Sequence, residues 1–274
     1  MGTAVLVLSG KGGSAKTTWQ LTLAGEASRA GLRVLLCDVD PERNLSNRFR
    51  VKAHSTGLGK ILQVAGVGSA STNAAAGAAE LQGQIRAAQE NVEAPWPNVD
   101  LLPAGAELTG VSQAVVDDLW LLRDIFEAAG TYDQYDVIFL DTGGRRGTLV
   151  SLAMYAADVA YAPIGPTQDA IQKAVEAKQR VTSVQRSHPN LRWAGVVLSG
   201  FDQRVGMDEA IKMDAIELWG DEVRAQVPRR AVVHEAFQLC ERIGDRQDVP
   251  SQGLAKVFGD FLQKDLLTKA EAAA

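Results

Sequence analysis

The sequence predicts an α/β fold: a doubly wound, mostly parallel sheet with helices on both faces. Three observations carry that expectation. Short apolar runs at about residues 4–9, 33–39, 99–103, 137–141, 159–164, 194–199 and 223–227 alternate with helix-length segments, as in a sheet built from crossover connections. The second and fourth runs are nearly continuously apolar, the pattern of strands buried on both faces. The first leads into a glycine-rich turn and two others end in aspartate, placing polar residues where open α/β sheets bind ligands.

The first run, Ala4 to Leu8, opens onto Gly-Lys-Gly-Gly-Ser-Ala-Lys-Thr-Thr at 10–18. Gly10, Gly12 and Gly13 let the backbone close around an anion and turn its N–H groups inward, and Ser14 and Ala15 are counted with them as nucleotide-binding positions. The helix that follows brings free N–H groups and the positive end of its dipole to the same place. Lys16 stands where a lysine reaches the β- and γ-phosphates of a nucleoside triphosphate, and Thr17 where a hydroxyl joins a Mg²⁺ shell. Thr18 offers a second hydroxyl toward the α-phosphate. Ala15 occupies a position where G-x-x-x-x-G-K-[ST] expects glycine, which requires its backbone to keep a negative φ. Trp19, Leu23, Ala27 and Ala30 then recur at helical spacing up to Gly31, a core-facing stripe with a stop signal.

The run Arg33 to Val39 delivers Asp38, Asp40 and Pro41, and Tyr135 to Asp141 delivers a further aspartate. One crevice at the carboxyl ends is expected to collect the 10–18 loop, Asp40 and Asp141. There Asp141, with Thr17 and Asp38, is a candidate Mg²⁺ holder, and Asp40 a candidate to orient or deprotonate an attacking water. Aspartate before proline or glycine is equally a common turn former.

Lys-Gly-Gly-Ser-Ala-Lys-Thr-Thr at 11–18, Asp-Val-Asp-Pro-Glu-Arg-Asn at 38–44 and Tyr-Asp-Val-Ile-Phe-Leu-Asp-Thr at 135–142 resemble the ParA/MinD family of deviant Walker A P-loop ATPases. Leu102-Pro103-Ala104-Gly105, the stretch from Ala157-Asp158 to Asp169, and Val227-Pro228-Arg229 match further landmarks, so the resemblance runs from Ala4 to about Phe261. It implies ATP and Mg²⁺ as cofactors, Pro228 and Arg229 near the nucleotide, and a catalytic set of Lys11, Lys16 and Asp40. Lys11 is the signature lysine, which in that family reaches the phosphates bound by the partner in a nucleotide-sandwich homodimer. A second cation at the phosphates stabilises the transition-state charge and ties hydrolysis to the dimer.

Departures from the family are equally specific. Asp-Pro-Gln-Gly-Asn becomes Asp40-Pro41-Glu42-Arg43-Asn44, and paired prolines after Asp141 become Gly143-Gly144, followed by Arg145-Arg146. Paired glycines are expected to make the segment after Asp141 more pliable. Ser199 stands where some relatives carry an asparagine that reads the base.

Size and composition bound the rest. The chain has 274 residues, 46% of them hydrophobic, enough for a single well-covered domain over 1–274. An Ala/Gly/Ser-rich connection at about 64–79 is expected to be partly flexible. Cys37 and Cys240 form no metal pattern, and His54, His188 and His234 suggest neither a metal site nor a triad. The lack of a basic, apolar leader leads to the expectation of a cytoplasmic protein.

A C-terminal helix at about 252–270 carries an apolar face of Leu254, Val257, Phe258, Phe261, Leu262 and Leu266. Its lysines are balanced by acids, unlike a membrane-surface helix, so it is expected to cover the sheet, with no membrane partner. The net charge of -5 offers no general attraction to DNA, so a local patch is required. Arg180, Arg186, Arg192, Arg224 and Arg230 are the candidates, with Arg229 beside them. By resemblance the chain is a nucleoid-associated partition ATPase that binds nonspecific DNA as an ATP dimer and is released by a ParB-like adaptor. The alternatives are a positioning ATPase for another cargo, and a P-loop synthetase or metal-insertion enzyme.

Overall fold

The computed structural model describes residues 1–9, 15–51, 57–69, 71–92, 95–144 and 147–268. Its strands are β1 Thr3–Val7, β2 Val34–Val39, β3 Val99–Leu102, β4 Val137–Thr142, β5 Val159–Ile164, β6 Arg192–Phe201 and β7 Val223–Pro228. The helices are α1 Lys16–Arg29, α2 Asn44–Arg48, α3 Leu58–Val64, α4 Ala74–Gln89, α5 Leu108–Gln113, α6 Leu121–Ala128, α7 Thr131–Gln134, α8 Thr148–Ala156, α9 Gln168–Val184, α10 Gly206–Trp219, α11 Ala231–Leu239 and α12 Val249–Phe261.

The strands form one sheet in the order β3-β2-β4-β1-β5-β6-β7, and each adjacent pair is parallel. All the predicted apolar runs become strands of this sheet. The period of two sends side chains alternately to opposite faces. Ala4, Leu6 and Leu8 join one core with α3 to α6 and α8 to α10. Val5 and Val7 join the other with α1, α11 and α12. Helices therefore cover both faces, as a continuous apolar strand requires.

The predicted Trp19 stripe lies in the second core. Trp19 is 1% exposed and its ring centroid stands 4.6 Å from that of Phe258 and 5.9 Å from that of Phe261. The C-terminal helix begins at Val249, earlier than the apolar pattern indicates, because Asp248 caps it by accepting from the Ser251 N–H at 2.9 Å and Pro250 sits in its first turn. It covers the sheet with Leu254, Phe258, Phe261, Leu262 and Leu266. Within the Ala/Gly/Ser-rich stretch, Val64 closes α3 and Ala74–Ala79 begin α4, whose Asn73 cap accepts from the Ala76 N–H at 3.1 Å. Alanine's helix propensity prevails there. Among the described residues no helix is long and apolar enough to cross a membrane.

Candidate nucleotide site

β4 lies between β2 and β1, so the carboxyl ends of these three strands sit side by side. Asp38 and Asp141 are register partners, and α1 starts at Lys16 directly after the loop from β1. Lys16, Asp40 and Asp141 thus come together as the order of motifs indicates. Gly10, Lys11, Gly12, Gly13 and Ser14, as well as Arg145 and Arg146, lie outside the described residues.

Ala15 departs from expectation. Its φ is 62° and its ψ 15°, a left-handed conformation rather than the negative φ required above. The turn into α1 dictates this: the Ala15 carbonyl accepts from Trp19 N–H at 2.9 Å, while the residue itself reverses the chain. Arg43 is also left-handed, at φ 60°. The two positions where this chain replaces a family glycine by a residue with a side chain are both ones glycine would occupy without strain.

Lys16 is 7% exposed and its Nζ donates to Ser9 Oγ at 3.2 Å. Burial lowers its pKa, opposed by the carboxylates of Asp141, Asp40 and Glu42 in that order. Asp141 is fully buried, and among the described residues neither carboxylate oxygen accepts a well-formed hydrogen bond. Burial first, then the charge of Asp38, raises it to about 8, against smaller lowering effects of the Thr17 hydroxyl and Lys16. A buried acid with so little hydrogen bonding carries a large desolvation penalty, which a cation at this spot would offset. Among the described residues no three His, Cys, Asp or Glu side chains gather as a metal site. A Mg²⁺ ion here would therefore depend on Thr17, Asp141 and oxygens of its ligand, the usual manner for this ion.

Asp38, expected among the metal holders, is otherwise engaged. Its Oδ2 accepts from the Ser46 N–H at 2.8 Å and the Ser46 Oγ at 2.6 Å, and its Oδ1 from the Asp40 N–H at 3.1 Å. Ser46 Oγ in turn accepts from the Ala104 N–H at 3.2 Å. Asp38 thereby ties α2 to the end of β2. Burial raises it to about 6, with the Ser46 bonds opposing. Ser46 could not be found from sequence, since no motif marks it.

Asp40 is 7% exposed. Its Oδ1 accepts from the Glu42 N–H at 3.0 Å, and Asn44 Nδ2 approaches both Asp40 Oδ2 and Glu42 Oε2 at 3.4 Å. Gly143 packs against this carboxylate: a Cβ there would stand 2.9 Å from Asp40 Oδ1. The glycine supplies room, a role the reading as a source of pliability did not include.

Thr18 is half-buried in the first turn of α1, and its carbonyl accepts from Thr22 Oγ1 at 2.8 Å. Ser199 Oγ accepts from the Trp19 indole N–H at 2.9 Å, so its hydroxyl is tied to α1. Pro228 and Arg229 lie at the same carboxyl edge, where the Arg229 N–H donates to the Phe201 carbonyl at 2.8 Å. β7 is three strands from β1, roughly 14 Å at ordinary strand spacing.

The arginines do not form one patch. Arg192 donates to the carbonyls of Asp265 and Leu266 at 2.7 and 3.0 Å, within the π-helical stretch Leu262–Leu267 that continues α12. Such a wide turn leaves carbonyls for an outside donor. Arg224 donates to the Ala194 carbonyl at 3.0 Å and lies 3.6 Å from Asp265. Both guanidinium groups are thus engaged within the fold, at the amino ends of the strands. Arg180 lies in the last turns of α9, and Arg186 is exposed just beyond it, whereas Arg230 caps α11 at the carboxyl edge.

The family model described as "AAA domain" matches residues 2–192. The chain is 28% identical over 270 residues to the chromosome partitioning protein ParA of Caulobacter vibrioides, covering 96% of this chain and 95% of that one. Among solved structures, it resembles the septum site-determining protein MinD of Pyrococcus horikoshii, complexed with Mg-ADP, at 20% identity and a TM-score of 0.69, covering 95% and 94% of the two chains. Cobyrinic acid a,c-diamide synthase of Mycobacterium smegmatis, with bound ATP analogue and magnesium, matches at 18% identity and the same TM-score of 0.69, covering 96% and 93%. The last two likenesses concern the fold alone. The sheet order, the gathered Lys16 and Asp141, and the match over most of its length together make this chain a member of the AAA domain family, in its ParA/MinD branch of P-loop ATPases.

Proposed function

We propose that this protein is an ATP-dependent partition switch: with Mg-ATP it closes a homodimeric sandwich that holds nonspecific DNA, and adaptor-stimulated hydrolysis releases it. The observation that supports the reading most is the fully buried carboxylate of Asp141, which accepts no well-formed hydrogen bond among the described residues and stands beside Lys16 and Asp40. Bound Mg-ATP would supply the phosphoryl group and a positive charge that favours the ionised form of Asp141. Thr17 and Asp141 hold the metal; the backbone of 10–15 and the Lys16 ammonium bind the phosphates. Lys16 is already dry and ringed by carboxylates, so it exchanges those partners for phosphate oxygens without further burial. Asp40 orients the attacking water and accepts its proton at a carboxylate oxygen. Lys11 reaches the phosphates bound by the partner subunit, completing the charge around the reacting group. Pro228 and Arg229 flank the base at the edge of the same crevice.

Partition is favoured over other uses of the fold by the full-length likeness to a protein named for chromosome partitioning. DNA contact then falls to Arg180, Arg186 and Arg230, with Arg229 beside the last. In a dimer two weak phosphate-binding patches act together. The reading implies a nucleoid-associated, cytoplasmic protein with a ParB-like partner. Fluorescence anisotropy with unrelated duplexes tests it: affinity rises with ATP over ADP and falls steeply with salt. Equal affinity with both nucleotides at low salt refutes the DNA function. Turnover that requires a small-molecule co-substrate instead favours the synthetase alternative.

A further inference from the structure

The geometry points to Gly143 as a positioning residue for Asp40: the backbone after β4 dispenses with a side chain so that this carboxylate can rest against it. The inference rests on the reading of Asp40 as the group that orients the attacking water.

The register brings the two residues together. Val39 at the end of β2 pairs with Thr142 at the end of β4, so Asp40 and Gly143 are the next residues on adjacent strands. A Cβ on Gly143 would lie 2.9 Å from Asp40 Oδ1, 3.3 Å from Cγ and 3.5 Å from Oδ2. The whole carboxylate therefore faces the bare Cα. Backbone freedom does not explain the glycine, because Gly143 is not among the residues with positive φ, and any L-residue adopts a negative one. Room is the remaining reason. On its other side Asp40 is held by its own loop, through the Glu42 N–H at 3.0 Å and the weaker Asn44 contact at 3.4 Å. Its backbone N–H is fixed on Asp38 Oδ1 at 3.1 Å. The carboxylate sits between the donors of its own loop and the backbone that follows β4.

Two consequences follow from what a methyl group at 143 would meet. The atoms in its way are the tip of a side chain, so the carboxylate moves and the backbone need not. Stability and nucleotide affinity are accordingly spared. The catalytic geometry is not, since misplacing a reacting group by about 1 Å can cost on the order of 10²-fold in rate. Any motion of the segment after Asp141 is also felt directly by Asp40.

The test compares Gly143→Ala with Gly147→Ala, whose added Cβ meets nothing within 4 Å among the described residues, and with Asp40→Ala, in the same protein. Steady-state ATP hydrolysis gives kcat and KM, a fluorescent mant-ATP titration gives affinity, and thermal unfolding gives stability. Gly143→Ala is expected to lower kcat about 10-fold, with mant-ATP affinity within about 2-fold and the unfolding midpoint within about 2 °C of the parent. Gly147→Ala is expected to match the parent in all three. If Gly143→Ala hydrolyses ATP at the parent rate while Asp40→Ala does not, the positioning role is wrong and the role of Asp40 stands. If kcat, affinity and midpoint all fall together, Gly143 is merely structural and the inference is overturned. If Asp40→Ala retains the parent rate, the underlying reading of Asp40 fails and the inference falls with it.

Discussion

Replacing Ala15 by glycine should make the nucleotide-free protein more stable, opposite in sign to the usual effect of glycine at a helix. The residue lies at φ 62°, where alanine is strained by roughly 1–2 kcal/mol and glycine is not. Two terms oppose the gain. Glycine frees the unfolded chain by about 0.4–1 kcal/mol. The lost methyl is half-buried against the second core, about half of the ~0.8 kcal/mol of a buried methylene. The net expectation is a stabilisation of roughly 0.5 kcal/mol from these terms. At an ordinary helical φ the same change costs about 1 kcal/mol, and exposed Ala79 within α4 provides that comparison. Urea unfolding of Ala15→Gly, Ala79→Gly and the parent, without nucleotide and with a common m-value, separates the two substitutions by about 1.5 kcal/mol. If Ala15→Gly destabilises as much as Ala79→Gly, the left-handed assignment, and the strain argued from it, is refuted.

Three further outcomes are expected. Asp38 titrates near 6 in the fold and near its ordinary 3.8 when unfolded, so the folded form holds the extra proton between these values. Stability therefore falls as pH rises from about 4 to about 6 and is level above; Asp38→Asn removes up to about 3 kcal/mol of that fall, measured by urea unfolding at pH 4 and pH 6.5. Lys16→Ala should weaken ATP binding more than 100-fold by calorimetry, whereas Lys11→Ala keeps most of the binding but loses ATP-dependent dimerisation by light scattering or loses hydrolysis; equal effects would deny Lys11 its role across the dimer. Arg192→Leu should cost about 1–3 kcal/mol by stranding the Asp265 and Leu266 carbonyls, with DNA affinity unchanged in anisotropy. A loss of DNA binding with normal stability would return Arg192 to the DNA surface.

Most of the fold was legible because burial on both faces leaves a strong local signal. Runs such as Val34 to Val39 read as strands without any knowledge of their neighbours, and the aspartates at their ends were visible as chain positions. The convergence of Lys16, Asp40 and Asp141 followed from parallel order alone. What stayed hidden depends on contacts between segments distant in sequence or on backbone angles. Nothing in Asp38-x-Asp40 reveals that the first carboxylate is consumed by Ser46, a pairing set by how α2 folds back. The negative φ assumed for Ala15 was a reasonable prior for alanine and failed because the turn geometry overrides it. Gly143 looked like a source of pliability since its partner lies on another strand. The arginines were the least legible: a guanidinium facing solvent and one bonded to a π-helical carbonyl, as in Arg192, look alike as letters.

The bonds from Ser46 to Asp38 also set how far the segment between Asp40 and Ser46 can travel. Both ends of the segment are moored to one buried carboxylate, so swinging α2 outward would strand a charged group in a dry interior. The hinges must then lie between the two moorings, in the turn that holds Pro41 and the left-handed Arg43. If the proposed ATP switch acts through this segment, its movement is expected as rotation of a few peptide planes in that turn. Spectroscopic labels on this protein belong inside that short span, because probes placed on α2 itself would register almost no displacement.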